Sequence, residues 1–418
     1  MAQDRQPKSR SVAWTGALAL AILMGIGRFA YTPVLPLMMH DGLIDLHQAS
    51  VLAAANYAGY LVGALACMVL PIVRRRAGRA PVDTVWMIRS SLLATAALTA
   101  AMAIGVPASW AVLRFASGVV SAFGFVFVST WCLERLAAQG AAPLGGVIYT
   151  GPGVGITLSG LAALAMVAMG VSAAAAWMVF GVLAAVLGIL VWPVLAAPGP
   201  TPASLSGAAA AAPAASTARW GLQHAALTAA YGLAGFGYII TATFLPVIAR
   251  ETLPGSVWVD LFWPAFGLSV AAGALLTGRL AQTIDRRSLL AACYLIQAAG
   301  VLAPLVAPTV TGFLLGSALV GLPFTAITLF AMQEVRRLTP QGVTSFTGLM
   351  TASYGSGQIA GPALVAALLG QAVAPAGGFK TALFVAAGSL IVGAAVFLAI
   401  QRWYPMPRAA RAKVSDAC

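Results

Sequence analysis

Twelve long apolar runs take up most of the sequence, and they constrain the fold more than any other feature. Each run exceeds 20 residues, which is long enough for a helix to cross a hydrocarbon core about 30 Å thick. Lipid offers the main chain no hydrogen-bond partners, so spanning segments of this kind have to be helical. The 418 residues are 61% hydrophobic and 8% charged, against roughly 25% charged residues in soluble domains. We therefore predict an all-α integral membrane protein with twelve transmembrane helices.

The edges of the apolar runs place the ends of the predicted spans. The spans cover residues 12–39, 47–73, 83–106, 108–137, 142–169, 172–197, 220–249, 257–282, 287–309, 311–336, 342–371 and 377–403. The first run follows Arg5, Lys8 and Arg10 and begins like a signal peptide. Its apolar stretch continues well beyond the 7 to 15 residues of a cleavable signal. We therefore predict that this run is retained as the first transmembrane helix.

Basic residues are distributed unevenly between the loops on the two sides of the membrane. The net charge is +13. When loops are numbered from a cytoplasmic N-terminus, eighteen Arg and Lys residues fall inside and two, Arg250 and Lys380, fall outside. Cytoplasmic loops are enriched in Arg and Lys, so this pattern predicts that both termini are cytoplasmic. The basic charge is an orientation signal, and we expect no nucleic-acid partner.

The segment 198–219, "PGPTPASLSGAAAAAPAASTAR", interrupts the apolar pattern for longer than any other. Its Pro, Gly, Ser and Ala content is typical of a flexible linker. We predict that it joins two six-helix bundles, residues 1–197 and 220–418. Shifting one half by 210 residues aligns several pairs, namely Gly25 with Gly235, Gly27 with Gly237, Leu35 with Leu245, Pro36 with Pro246, Gly63 with Gly273 and Leu65 with Leu275. This constant offset indicates an internal repeat, which is common in secondary transporters.

Arg28 interrupts the first apolar run far from either end. It lies eleven residues before Met39, or roughly 16 Å at 1.5 Å per residue, which is too deep for its side chain to reach the interface easily. A charge near the bilayer centre costs roughly 2.5 to 3.5 kcal/mol, so we expect Arg28 to face a wet cavity or a partner. The alternative is a structural role, in which Arg28 donates to carbonyls left free by Pro33 and Pro36.

Other polar side chains in the spans are candidates to share a site with Arg28. A guanidinium binds a carboxylate through two parallel hydrogen bonds, and tyrosine rings suit the rest of an organic anion. The predicted substrate site comprises Arg28, Tyr31, Asn56, Tyr60, Arg114, Tyr231, Tyr238 and Gln358; Tyr57, Tyr149, Gln297 and Tyr354 are further candidates. Taken singly, each polar residue is also explained by an interhelical hydrogen bond. Arg114 could instead extend to the outer interface, and Arg89 is better explained as an interfacial anchor.

A second group of residues is predicted to gate the path. Glu134 and Glu334 lie near the inner ends of spans 4 and 10, where they can pair with basic loops. A Gly-Pro pair loosens the helical hydrogen-bond ladder and allows a helix to bend. The predicted gating residues are Glu134, Glu334, Arg75, Arg286, Gly151 and Pro152.

Several local patterns resemble motifs of the major facilitator superfamily. The loop "GRLAQTIDRR" (278–287) is similar to the cytoplasmic motif of that family, although it has Gln282 and Asp285 where the family has Asp and Gly. "RFASG" (114–118) resembles the Arg-x-x-x-Gly pattern, and "GPGVGITLSG" (151–160) resembles the antiporter-type Gly-Pro motif. "GIGRFAYTP" (25–33) resembles the YbfB/YjiJ-type branch. The resemblance implies the two-times-six fold and a transporter.

These observations together predict a secondary active transporter that moves a small, anionic organic solute by rocker-switch alternating access. Proton coupling is implied by the resemblance, whereas the lack of a mid-membrane carboxylate leaves uniport or anion exchange open. A membrane sensor and a drug or amine efflux carrier are the alternatives. The sequence has no HExxH, P-loop or Gly-x-Ser-x-Gly motif, so we expect no enzyme, cofactor or metal site. We expect a monomer in a bacterial inner membrane, with the small-molecule substrate and the lipid bilayer as partners.

Overall fold

A computed structural model of the chain describes residues 7–196, 221–256, 258–277, 284–339, 343–371 and 375–405. Within these ranges the regular structure is helical and contains no strand. The helices are α1 (Ser9–His40), α2 (Leu46–Arg76), α3 (Thr84–Ala101), α4 (Pro107–Ala138), α5 (Gly145–Ala168), α6 (Ala173–Ala196), α7 (Leu222–Thr252), α8 (Val259–Thr277), α9 (Arg286–Val306), α10 (Val310–Leu338), α11 (Val343–Gln371) and α12 (Pro375–Trp403).

These helices confirm the predicted fold class. In the described residues, eleven helices are long and apolar enough to cross a membrane. The remaining helix, α11, is 29 residues long, but its Thr, Ser, Tyr and Gln residues make it more polar. It packs against α2 and α7 in the middle of the bundle, where polar side chains can face protein and not lipid.

Capping residues at the loop ends explain where several helices begin. Asp45 accepts a hydrogen bond from the Gln48 amide and forms a capping box before α2, which satisfies main-chain donors that the first turn leaves free. The side chains of Asp83 and Thr309 accept hydrogen bonds from main-chain amides in the first turns of α3 and α10. Pro107 occupies the first turn of α4, where its missing N–H costs nothing.

Helix α1 is interrupted in its middle. Residues Ala21–Ile26 form a π-helical segment, residues 27–30 form a turn, and a regular helix resumes at Tyr31. The Gly27 amide donates to the Ile22 oxygen, five residues back, and so leaves the Leu23 oxygen without its usual donor. Pro33 lacks an N–H and cannot restore the pattern one turn later. Arg28 therefore lies in the irregular part of α1.

The two halves repeat their packing as well as their helix order. Gly63 of α2 approaches the Val119 main chain of α4, and its repeat mate Gly273 of α8 approaches the Leu322 main chain of α10. At the interface of the halves, the Thr32 hydroxyl donates to the Ala242 oxygen at 2.9 Å. Residues 32 and 242 are themselves one repeat of 210 apart, so the halves meet at equivalent positions of α1 and α7.

The predicted linker, residues 198–219, lies outside the described residues. The division into bundles at this segment stays a prediction, and so does the cytoplasmic position of both termini. We call the end of the bundle where α1 begins and α2 ends the basic end, because Arg74, Arg75 and Arg76 lie there.

Candidate functional site

Arg28 lies between the two halves of the bundle, with 3% of its surface exposed. Its Nη2 donates to Oε1 of Gln358 on α11 at 3.0 Å, so the guanidinium connects the two halves directly. The guanidinium carbon lies 3.8 Å from the centre of the Tyr60 ring and 5.3 Å from that of Tyr57. Stacking of this kind stabilises a buried cation through the negative face of the ring. The predicted alternative, in which the guanidinium donates to carbonyls near Pro33 and Pro36, is not the arrangement in the described structure.

Aromatic residues of the C-terminal half line the other side of Gln358. The Gln358 amide donates to the Tyr238 hydroxyl. The Tyr238 ring contacts Tyr354, with ring centres 5.9 Å apart, and Phe324, with centres 5.1 Å apart. Tyr354 in turn contacts Tyr231 at 4.7 Å between centres. Helices α7, α10 and α11 thus place a cluster of rings opposite the guanidinium.

Among the residues that the structure describes, Arg28 and the neighbouring Arg114 have no carboxylate partner. Eight of the ten acids lie in the described residues, and none forms a salt bridge with either arginine. Within the same ranges, the buried Nε atoms of Arg28 and Arg114 have no hydrogen-bond partner. A buried cation is costly unless an opposite charge or several hydrogen bonds compensate it. The centre of the bundle is therefore a positively charged and incompletely satisfied site.

Three side chains on one face of α4 hold the interrupted part of α1. Ser117 donates to the Gly27 oxygen at 2.6 Å. The Ser121 hydroxyl lies 3.1 Å from the Leu23 oxygen and 2.8 Å from the Ser117 oxygen of its own helix, and its proton is shared between them. Arg114 donates from Nη2 to the Arg28 oxygen at 3.1 Å. Main-chain amides of residues 27–30, 32 and 34 donate to other oxygens of α1, so α4 supplies donors for carbonyls that the interruption leaves free.

The remaining predicted substrate residues are distributed around this centre. Tyr31 turns into the N-terminal half, where its hydroxyl donates to the Ala49 oxygen at 2.9 Å and its ring lies 4.6 Å from the Arg114 guanidinium carbon. Asn56 donates to the Arg114 oxygen at 2.9 Å. The structure therefore brings Arg28, Tyr60, Tyr238 and Gln358 together, while Tyr31, Asn56 and Arg114 form a layer behind Arg28 and Tyr231 borders the cluster through Tyr354.

At the basic end, an ionic network ties together α9, α10 and α12. Glu334 is 1% exposed and accepts hydrogen bonds from Arg337, at 2.8 Å from the Arg337 Nε. Arg287 lies 4.0 Å from Glu334, and it donates to both Asp285 oxygens and to the Tyr404 oxygen. Burial raises the pKa of the Asp285 carboxyl, but the hydrogen bonds from Arg287 outweigh this effect and hold the pKa below its usual value.

The other predicted gating residues have different surroundings. Glu134 is partly exposed and Arg75 is exposed, and the structure shows no ion pair for either within the described residues. Arg286 donates to Gln333 at 2.7 Å. Gly151 and Pro152 begin the regular part of α5, where a Cβ on Gly151 would lie 2.1 Å from the Ala17 oxygen of α1. Glu334 thus pairs inside one half, and Gly151 allows close packing of α5 on α1.

Comparison with a family described as "Uncharacterised MFS-type transporter YbfB" gives a match over residues 20–398. The chain belongs to this branch of the major facilitator superfamily. The match spans nearly the whole chain and confirms the family that the motifs of α1, α4 and α5 resemble. No curated protein matches this YbfB-type chain in sequence.

Solved structures of transporters share the fold of this YbfB-type protein. A crystal structure of a mutant of the nucleoside transporter NupG is 14% identical in sequence with a TM-score of 0.67, covering 93% of this chain and 99% of that one. A bacterial homologue of the human lysosomal transporter Spinster, in an inward-facing and unoccupied conformation, is 15% identical with a TM-score of 0.68, covering 95% and 97%. At such low identity these neighbours establish the fold alone.

Sequence reasoning missed several residues of the centre of this YbfB-type transporter. Ser117 and Ser121 look like ordinary small residues of a packed helix, and their hydrogen bonds to α1 depend on the interruption of that helix. Thr243, whose hydroxyl lies 2.8 Å from that of Tyr57, and Phe324 also went unnoticed. The spacing of 114, 117 and 121 on one helical face is the signal that could have identified the first two.

Proposed function

We propose that this secondary transporter carries a small organic anion by alternating access, with Arg28 holding the negative group of the solute. The observation that supports this most is the pair of buried arginines without a carboxylate partner in the described ranges. An anion entering the centre compensates a charge that the protein leaves uncompensated, and its binding is favoured for that reason. Arg28 supplies a planar fork of donors, which matches a carboxylate better than an ammonium would.

The same charge argues against the two alternatives. A drug or amine efflux carrier binds cations, and two guanidiniums at the centre repel them. A membrane sensor has no need of a charged site shared between two pseudo-equivalent halves. The transporter family of the chain also favours a carrier over an enzyme.

Orientation and gating complete the proposal. We propose that the basic end and both termini face the cytoplasm, as the positive-inside pattern favours, and that the membrane is a bacterial inner membrane. The halves rock about the central site, as pseudo-symmetric carriers do. The ionic network of Glu334, Arg337 and Arg287 makes one half rigid at the cytoplasmic end, and Glu134 lies at the corresponding end of α4. We propose that the functional unit is a monomer.

Proton coupling requires a titratable group that responds to substrate binding. Within the described residues, the acids that lie inside helices, Glu134, Glu251, Asp260 and Glu334, are near the helix ends, and none forms a salt bridge with Arg28. Asp260 is bound to Arg250 at 2.5 Å near the end opposite the basic end. The transport assay is therefore run with and without an imposed pH gradient, and acceleration by the gradient indicates coupling.

Counterflow in proteoliposomes tests the function. Vesicles containing the purified chain are loaded with acetate, benzoate or succinate and then supplied with the labelled anion, with benzylamine and tetraphenylphosphonium as cationic controls. We expect saturable uptake of at least one anion and none of the cations. Arg28→Gln should abolish this uptake, whereas Arg89→Gln, which removes an arginine stacked on Trp192, should retain it. Uptake of the cations alone, or full anion uptake by Arg28→Gln, would contradict the proposal.

A further inference from the structure

Gln358 occupies a position on Arg28 that suits a carboxylate oxygen. Its Oε1 is an sp² oxygen that accepts from Nη2 of Arg28 at 3.0 Å, and its amide group donates to Tyr238. The side chain is 2% exposed. A carboxylate presents the same kind of acceptor with a full negative charge, so it makes the stronger hydrogen bond to a guanidinium. Gln358 is therefore a neutral substitute that an anion can displace.

This position is surrounded by ring faces, and the hydroxyls of three of these tyrosines, Tyr57, Tyr231 and Tyr238, are already bonded inside the protein. The Tyr57 hydroxyl pairs with Thr243, and the Tyr238 hydroxyl accepts from Gln358. The Tyr231 hydroxyl donates to Thr328 at 3.4 Å. Rings with satisfied hydroxyls offer contact area and a negative π-face, and they offer few free hydrogen bonds to a polyhydroxylated solute. The body of the anion therefore contacts rings.

The charges limit the solute further. No acid contacts Arg28 or Arg114 in the described part of the chain, so an amino acid would leave its ammonium group unpaired. A second carboxylate would have to reach Arg114, whose Nη2 is bonded to the Arg28 oxygen and whose guanidinium faces Tyr31 on the far side of α1. One negative group and an apolar, planar remainder fit best.

We propose that the carried anion is an aromatic monocarboxylate whose carboxylate takes the place of the Gln358 amide on Arg28. This inference rests on the proposed function and names the substrate class of the same site. The carboxylate lies on the Arg28 fork, and the ring lies against Tyr238 and Tyr354. Displacement of Gln358 breaks a direct hydrogen bond between α1 and α11. Substrate binding therefore releases a link between the two halves.

Binding of a ligand panel to the full-length purified chain tests the substrate class. Thermal-shift titrations use benzoate, cyclohexanecarboxylate, acetate, succinate, benzamide and benzylamine, since a ligand that binds the folded state raises its apparent stability. We expect benzoate to bind about tenfold more tightly than acetate, because a buried ring adds apolar contact area. Benzoate should also bind about threefold more tightly than cyclohexanecarboxylate. Neutral benzamide and benzylamine should give no shift.

Variants of Gln358 test the displacement. Gln358→Leu and Gln358→Met remove the internal competitor, so benzoate should bind about fivefold more tightly or better. Gln297→Leu is the matched control, because Gln297 is an equally buried glutamine that donates to the Val320 oxygen on α10 and does not contact Arg28. Its affinity for benzoate should equal that of the parent chain. Tyr354→Leu should remove the preference for benzoate over cyclohexanecarboxylate.

The outcomes separate this inference from the proposed function. If acetate or succinate binds as tightly as benzoate, or if Gln358→Leu weakens benzoate binding, the aromatic monocarboxylate is excluded while anion transport stands. If none of the anions binds and benzylamine does, the proposed function itself fails. If the benzoate preference persists in Tyr354→Leu, the ring cluster is not the contact surface and the inference is wrong.

Discussion

Replacing Gln358 by glutamate places a carboxylate where the amide oxygen now lies, 3.0 Å from Nη2 of Arg28. At an effective dielectric constant of about 20, two unit charges at that separation attract by roughly 5 kcal/mol. Burying the new carboxylate costs several kcal/mol, so the net gain is about 1 to 3 kcal/mol. An external anion has to displace this internal one. At about 1.4 kcal/mol per tenfold change, Gln358→Glu should therefore weaken benzoate binding by about 5- to 150-fold.

The thermal-shift titration measures this change together with the stability of the unliganded chain. Gln358→Glu should melt at or above the temperature of the parent, because the introduced charge meets an uncompensated guanidinium. Gln297→Glu is the control, since it buries a carboxylate beside the Val320 main chain and should lower the melting temperature. Parent-like benzoate affinity in Gln358→Glu, or a loss of stability as large as that of Gln297→Glu, would show that Arg28 is not available to an anion.

Other contacts give four further predictions. Arg28→Lys should reduce anion counterflow at least about tenfold with normal expression, because a point ammonium cannot reproduce the fork; parent-like counterflow would make Arg28 structural. Ser117→Ala should weaken benzoate binding a few-fold, because it leaves the Gly27 oxygen without its donor. Ser159→Ala, which loses only a bond within α5, should leave the affinity unchanged. Equal effects of the two variants would exclude a specific role for α4. Glu334→Gln should increase cysteine labelling from the cytoplasmic side. Unchanged labelling would show that Glu334 is not part of the gate. Protease added to intact cells should leave residues 198–219 uncut, and cleavage there would reverse the proposed orientation.

The fold was accessible from the sequence because the membrane imposes it. Long apolar runs have to become helices in lipid, and the offset of 210 residues between Gly63 and Gly273 reflects a real equivalence of packing. The depth of Arg28 likewise predicted a residue at the centre of the bundle. These inferences depend on local composition and spacing, which the sequence displays directly.

The partners within the site were less accessible, because they depend on how α1 breaks. In a regular helix, the directions of the Arg28 and Tyr31 side chains would follow from a rotation of about 100° per residue. The π-helical segment and the turn at residues 27–30 change that rotation. Tyr31 consequently faces Arg114 and Ala49 in the structure. The i,i+3 spacing of Glu334 and Arg337 is visible in the sequence, whereas the approach of Arg287 from α9 to Glu334 depends on how the helices pack.

The repeat has a consequence for the ancestry of the site. The position equivalent to Arg28, 210 residues later, is Tyr238, and Gln358 bonds to both. In a symmetric homodimer of six-helix subunits, one residue type stands at both positions, and arginine there would place two guanidiniums across the twofold axis. Because both halves lie on one chain, the two positions can carry different residues, here a cation on α1 and a phenol on α7. The difference between the two equivalent positions, a cation in one half and a phenol in the other, is therefore a product of divergence between the halves.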